Sequence, residues 1–246
     1  MNFGYTQVAV AAAMTLGASA YAQSDFDCKQ LPNHAALKQQ LNFAQNASNG
    51  GFGLEMWGTI VNRDGVVCAV AFTGANRGSQ WPGSRVISAQ KAYTGNAFSL
   101  PGLALSTANL YRAVQPGGSL YGLQHSNPVD TENAYRGPAN YWGTPNDPMV
   151  GKRVGGINVF GGGLALYNTS GVLVGAIGVS GDSSCADHAI AWRTRKGLLL
   201  GNIPGGVVGP PPGTDQISYD GGPWSQPHCV NAVAEDAVVA ALGAPQ

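Results

Sequence analysis

The stretch Leu164-Ala165-Leu166-Tyr167-Asn168-Thr169-Ser170-Gly171-Val172-Leu173-Val174-Gly175-Ala176-Ile177-Gly178-Val179 decides the fold. Two apolar runs, 164–167 and 172–179, flank a turn of Asn, Thr, Ser and Gly, and that order reads as an antiparallel hairpin. Forward of it, Ser183 and Ser184 can cap a helix that runs to Lys196. Backward, a second hairpin is expected: a strand at 54–62, the tight turn Arg63-Asp64-Gly65, and a strand at 66–72. Leu31-Pro32-Asn33 reads as a helix start, followed by apolar positions Ala36, Leu37, Leu41 and Ala44 at helical spacing until Asn49-Gly50-Gly51. Ser84 can cap a helix from 85 to about 100, and 106–114 can form another. The order is helix, hairpin, helices, strands, helix. Neighbouring strands pair rather than alternate with helices, so the expected class is α+β, an antiparallel sheet flanked by helices.

Two stretches stand apart from that core. Residues 128–153 carry four prolines with Tyr135, Tyr141 and Trp142, and read as an ordered insertion covering something. The chain from 201 to about 227 is rich in Gly and Pro and leads to a short helix after Cys229. The expected division is therefore a leader at 1–22, a domain at 23–200 with the insertion at 128–153, and a tail at 201–246.

The leader is read from an apolar run at 8–18 ending in Ala20-Tyr21-Ala22, the pattern of a cleavable secretory signal, although no Lys or Arg precedes Val8. A run of eleven residues falls short of the about 20 that span a bilayer. The mature chain is expected in the periplasm or outside the cell, with no membrane contact. Apolar residues make up 44% of the chain and charged residues 11%, enough to bury a core. Thirteen basic residues balance thirteen acidic ones, so nothing favours nucleic acid as partner.

Export would place Cys28, Cys68, Cys185 and Cys229 in an oxidising compartment, where two disulfides are the default. Four cysteines allow three pairings. A first helix lying antiparallel to its following strand would bring Cys28 toward Cys68, the first choice, and would leave Cys185 with Cys229.

Three segments then point to a family: Ser88-Ala89-Gln90-Lys91-Ala92-Tyr93-Thr94-Gly95-Asn96-Ala97-Phe98, the hairpin Asn62-Arg63-Asp64-Gly65-Val66-Val67, and above all Val174-Gly175-Ala176-Ile177-Gly178-Val179-Ser180-Gly181. Together they resemble the GlcG/HbpS-like, or haem-degrading domain, family over roughly 31–196. The resemblance implies a profilin-like α/β/α sandwich with a five-stranded antiparallel sheet, often assembled into homo-oligomers, and binding of haem or a related tetrapyrrole. There are departures. Ala71-Phe72-Thr73-Gly74-Ala75 replaces a common Arg-Met-Asp-Gly-Ala, and Ala186-Asp187-His188 replaces a usual Gln-Asp-Glu. They imply a different or more enclosed ligand site.

Haem needs an apolar slot, cations for its propionates and, where iron is ligated, an axial donor. Lys91, Thr94 and Phe98 share one face of the second helix, so Lys91 could pair a propionate and Thr94 approach the iron. The competing reading packs Thr94 and Phe98 on the sheet. His34, His125 and His188 are the ordinary candidates for axial ligation. Cys185, His188, His228 and Cys229 offer a zinc ligand set, but in an exported chain the same cysteines are expected as a disulfide, so no metal is assigned. Gly178-Val179-Ser180-Gly181-Asp182 lacks the second glycine of a nucleophile elbow, and Asp187 and His188, adjacent on a helix, diverge by about 100°. No catalytic residue is assigned. Three functions remain: an exported haem-binding protein for storage, scavenging or sensing; an enzyme acting on haem or a small molecule in the same pocket; and a disulfide-stapled protein-interaction module.

Overall fold

The computed structural model describes residues 28–246. The expected leader at 1–22 lies outside the described residues. Strands β1 (Trp57–Asn62), β2 (Val67–Phe72), β3 (Gly163–Tyr167) and β4 (Leu173–Ser180) form one antiparallel sheet in the order β2-β1-β4-β3. Helix α2 (Ser84–Phe98) covers one face, while α1 (His34–Gln45) and α4 (Ser184–Gly197) cover the other. Helix α5 (Ala232–Leu242) packs outside α4.

Successive strand residues serve opposite faces. Ile60, Ala69, Leu164, Ile177 and Val179 join Leu37, Leu41 and Trp192 beneath α1 and α4. Trp57, Val61, Val70 and Ala176 join Val86 and Ala89 beneath α2. With both faces covered, every residue of β4 is buried, which explains its unbroken apolar run. Gly178 permits α2 to lie close, because a Cβ there would collide with the Ser88 carbonyl and the Ala92 amide.

The turns follow their local chemistry. Asn33 caps α1 by accepting from Ala36 N, and Ser183 caps α4 by accepting from Ala186 N. Gly65 (φ +73°) closes the first hairpin and Gly171 (φ +72°) the second.

Three expectations are corrected. The sheet has four strands, not five. At one edge Val67 N donates to Lys152 O and Gly151 N to Val67 O. At the other, Tyr167 N donates to Leu200 O. Each approach stops at an isolated bridge, and Gly151 and Gly155, both at positive φ, break the extended path beside β2. Residues 106–114 form turns and only a short 3-10 segment, Arg112–Val114, rather than a helix. There Asn109 Oδ1 accepts from Ser106 N and Oγ, while Thr107 Oγ1 accepts from Gly163 N. Side chains thus take up bonds that helical backbone would have made. Finally, α2 starts at Ser84 itself, with Gly83 preceding it and no side-chain cap.

The insertion carries helix α3 (Thr131–Tyr135) and is anchored to α2. Arg85, 1% exposed, grips Asp147 through Nε (2.9 Å to Oδ2) and Nη2, and donates through Nη1 to Ala134 O. Asp147 in turn accepts from the amides of Gly143 and Met149. Disulfides join Cys28 to Cys68, tying the start of the described chain to β2, and Cys185 to Cys229, tying the tail to α4.

Candidate functional site

Two places concentrate functional groups. The first is polar, buried and lies where β4 ends. Lys91, 0% exposed, reaches across the end of the sheet from α2 to donate to Asp187 Oδ2 (2.7 Å) and to Val179 O (3.2 Å). Phe160 lies 5.1 Å from its ammonium, ring centroid to nitrogen. Asp187 also accepts from Asp182 N. Burial pushes Asp187 up to about 6 against the opposing pull of Lys91, and pushes Lys91 down from its ordinary range. Gly162 (φ +120°) makes room for the ammonium, since a Cβ there would sit 2.9 Å from Lys91 Nζ.

Asp187 and His188 do diverge as helical neighbours should. Asp187 turns to Lys91, whereas His188 turns to the tail, where Nε2 lies 2.9 Å from Gln216 Oε1 and 3.0 Å from Ile217 N. Its Nδ1 is buried and has no hydrogen-bond partner among the described residues. Burial lowers the imidazole to about 4, so it is neutral near pH 7. The tail supplies the rest of the cover. Gly161 N donates to Gln226 Oε1 (2.8 Å), Gln226 Nε2 donates to Ser184 Oγ (2.7 Å), and Asp215 pairs Arg195 through both oxygens.

The second place is aromatic and open. A cleft of about 260 Å³ is lined by Trp57, Asn76, Arg77, Gly78, Pro82 and Trp142. Trp57 sits edge-on to Phe72, centroids 5.3 Å apart, and Trp142 lies under the Arg85 guanidinium at 4.5 Å. Gly143 lets the insertion close on them, because a Cβ would strike Phe72 and come within 2.7 Å of Trp57 Cζ3. Trp57 is 1% exposed, and its indole N–H has no acceptor among the described residues. Arg77 is exposed and makes no ion pair or hydrogen bond among the described residues.

The structure disperses the residues that the sequence grouped. Thr94 is buried, donating to Gln90 O and accepting from Asn158 N. Phe98 packs with Leu105, Leu110 and Val159 in a separate cluster. His34, at the start of α1, donates through Nε2 to Gly143 O (2.9 Å), beside the aromatic cleft. His125 is exposed on the segment before the insertion. His228 pairs Asp236 and stacks on Tyr219 rather than joining His188 and the disulfide. Glu235 is the group that gathers with Cys185 and Cys229, and its carboxylate is already engaged by the amides of Cys229, Val230 and Asn231. Sequence reasoning passed over Phe160, Arg77, Trp57 and Gln226. Only the run Phe160-Gly161-Gly162-Gly163 offered a hint, as glycines mark close approach.

These features define a single-sheet α/β/α sandwich with a buried Lys–Asp pair at the sheet's end and an aromatic cleft beside its first strand. The chain belongs to the HbpS-like family, described as haem degrading protein HbpS-like, whose profile matches residues 31–195. Similar solved structures include protein ORFY of Klebsiella pneumoniae, of family DUF336, at 23% identity over 68% of this chain and 90% of that one, TM-score 0.45. A PduOC:heme complex is similar at 24% identity over 67% and 94%, TM-score 0.45, and HbpS at 17% over 68% and 89%, TM-score 0.42. No curated protein matches the chain. Among the described residues no helix is long and apolar enough to cross a membrane.

Proposed function

We propose that the protein is an exported binder of haem or a related tetrapyrrole, and that the aromatic cleft receives one edge of the macrocycle. The carrying observation is the cleft itself: two indoles and Pro82 form an apolar slot, with the uncommitted cation of Arg77 at its rim. Trp142 and Pro82 would flank the ring edge above the buried Trp57, and Arg77 would pair a propionate. A cleft of about 260 Å³ takes part of a macrocycle. The remainder would lie toward exposed Trp81 or a second copy of the chain. Bound haem would supply an iron centre for redox chemistry. The cleft lining holds no His, Cys or Met, so His34, next to Gly143, is the nearest of the sequence's ligand candidates. Membership in a family described by haem degradation supports this ligand class, and the two disulfides suit an oxidising compartment. Lys91 and Thr94 on α2 are the competing location, but both are buried, so a ligand there would require their covering residues to move.

The test is a haemin titration of the oxidised protein, read at the Soret band. The wild type is expected to give a saturable shift. Arg77→Ala should weaken it about tenfold, the equivalent of about 1.4 kcal/mol, and Trp142→Ala should weaken it further, while Lys91→Ala/Thr94→Ala leaves it in place if folded. Weakening by the Lys91/Thr94 pair alone would move the site to α2. No saturable shift would sink the haem reading. Loss of an established band under a reductant, with a tetrapyrrole product, would favour the enzyme over the storage protein.

A further inference from the structure

We infer that the Cys185–Cys229 disulfide is a thiol-exchange site, which takes a small-molecule thiol onto Cys229 and returns it as a disulfide. The two sulfurs stand in different surroundings. Cys229 is exposed and lines a cleft of about 340 Å³ together with Tyr111, Phe160 and His228. Cys185 is 3% exposed and takes no part in that lining. Exchange begins at the sulfur that a thiol can approach, and here that sulfur belongs to Cys229.

Both sulfurs have neighbours that suit the reduced pair better than the bridge. Cys185 N lies 3.2 Å from Cys229 Sγ, Ser184 Oγ 3.4 Å and Gln226 Nε2 3.5 Å. The Ser184 hydroxyl accepts from Gln226 Nε2 (2.7 Å), which leaves its own hydrogen for the sulfur. A bridged sulfur accepts weakly, whereas a thiolate uses each of these donors fully. Pro227 O lies 3.8 Å from Cys185 Sγ, an acceptor for an S–H that exists only once the bond is open. Glu235 brings a carboxylate within 4.8 Å of both sulfurs, but the amides of Cys229, Val230 and Asn231 take up its charge. The Cys28–Cys68 bridge is built differently. Among the described residues no donor reaches either of its sulfurs, while the Val66 carbonyl lies 3.5 Å from Cys68 Sγ.

The exchange balances in two steps. A thiolate attacks Cys229 Sγ, the S–S bond breaks, and Cys185 leaves with the electron pair and takes up the proton that the thiol gave up. The incoming molecule is then held on Cys229 as a mixed disulfide. A second thiol attacks the sulfur of the held molecule, a small disulfide departs, and Cys229 leaves as the thiolate that its donors stabilise. Two thiols are oxidised and one bridge is reduced. Opening also unties the tail, since Cys185 lies within the matched region 31–195 and Cys229 beyond it. The site stands apart from the haem reading, because the aromatic cleft shares no lining residue with it.

The experiment equilibrates the oxidised protein with reduced and oxidised glutathione at graded ratios, traps free thiols with excess N-ethylmaleimide, and reads all four cysteines by peptide mass spectrometry. Glutathione should appear on Cys229, with Cys185 alkylated, at ratios that leave Cys28–Cys68 closed. In Ser184→Ala the squared reduced over oxidised glutathione concentration at the midpoint should rise about fivefold, the loss of one hydrogen bond, while the Cys28–Cys68 midpoint stays put. Glutathione on Cys185 instead, both bridges opening at one ratio, Cys28–Cys68 opening first, or a Cys185–Cys229 bridge that stays closed until denaturant is added would each overturn the proposal. An unmoved midpoint in folded Ser184→Ala overturns it as well, and the wild-type pattern decides alone should that variant not fold.

Discussion

At the residue scale, burial sets two groups on α4 titrating in opposite senses. His188 is held down to about 4, against an ordinary value near 6.5, so the unfolded chain takes up a proton across that interval while the folded chain does not. Its contribution to stability is present above about pH 6.5 and is lost as the pH falls toward 4, by about 3 kcal/mol in all. Asp187 is pushed up to about 6 from 3.8, so the folded chain binds the proton first. Its contribution is present at low pH and lost as the pH rises through 6. The two slopes oppose each other between pH 4 and 6, and the wild type should show a shallow profile there. His188→Gln removes one slope and should gain stability, relative to the wild type, by about 3 kcal/mol on going from pH 7 to pH 4. Urea denaturation at both pH values reads this directly, and parallel wild-type and variant profiles would refute it. Asp215, Arg195 and Lys91 all act on this imidazole, so the comparison must be between these two proteins rather than with a free histidine. None of this was legible in the sequence. Lys91 was expected to face a ligand because helical spacing shows which residues share a face, but spacing cannot show that Asp187, 96 residues away, would meet it.

At the element scale, what was readable followed from local chemistry. Asn33 and Ser183 mark their helices because each can accept from an amide three residues on, and Gly65 and Gly171 mark their hairpins because both need positive φ. The misread segment 106–114 had helical composition, but the bonds that unwind it run to Gly163 and Gln216, which no short window contains. The fifth strand, implied by the family resemblance, is absent among the described residues because the chain at each edge of the sheet pairs only as an isolated bridge, Val66 with Arg153 and Tyr167 with Gly201. The insertion depends on Arg85, whose sequence position on α2 suggests nothing of its role. Arg85→Ala leaves Asp147, 2% exposed, without its cation and frees Trp142 from above. Breaking a buried pair on one side costs about 3–5 kcal/mol. A calorimetric melting temperature should drop by about 10 °C, and Trp142 fluorescence should shift red. A drop within about 2 °C would mean that the insertion docks without the pair.

At the scale of the whole molecule, the tail converts a family core into a closed body. Within the matched region, Arg195, His188 and Gly161 take hydrogen-bond partners from beyond it, in Asp215, Gln216 and Gln226. Cysteine pairing was readable in outline from the placement of helix and hairpin, and the aromatic insertion was expected to cover something. The covering by the tail was not foreseen, because a Gly- and Pro-rich stretch carries no periodicity from which docking could be inferred. The Cys185–Cys229 link separates residues by 44 positions and Cys28–Cys68 by 40, so chain entropy assigns each about 4 kcal/mol. Their local effects should differ. Replacing Cys185 and Cys229 by Ser releases the tail beside Gln226, whereas replacing Cys28 and Cys68 releases the start of the described chain before α1 from β2, at the sheet edge away from β3. Hydrogen exchange mapped by peptide should therefore rise at Gly161 and Ile217 in the first variant and stay unchanged there in the second, although both lose similar global stability. Equal exchange at Gly161 in the two variants would show that the tail is held by its polar contacts alone, and that the disulfide closes nothing.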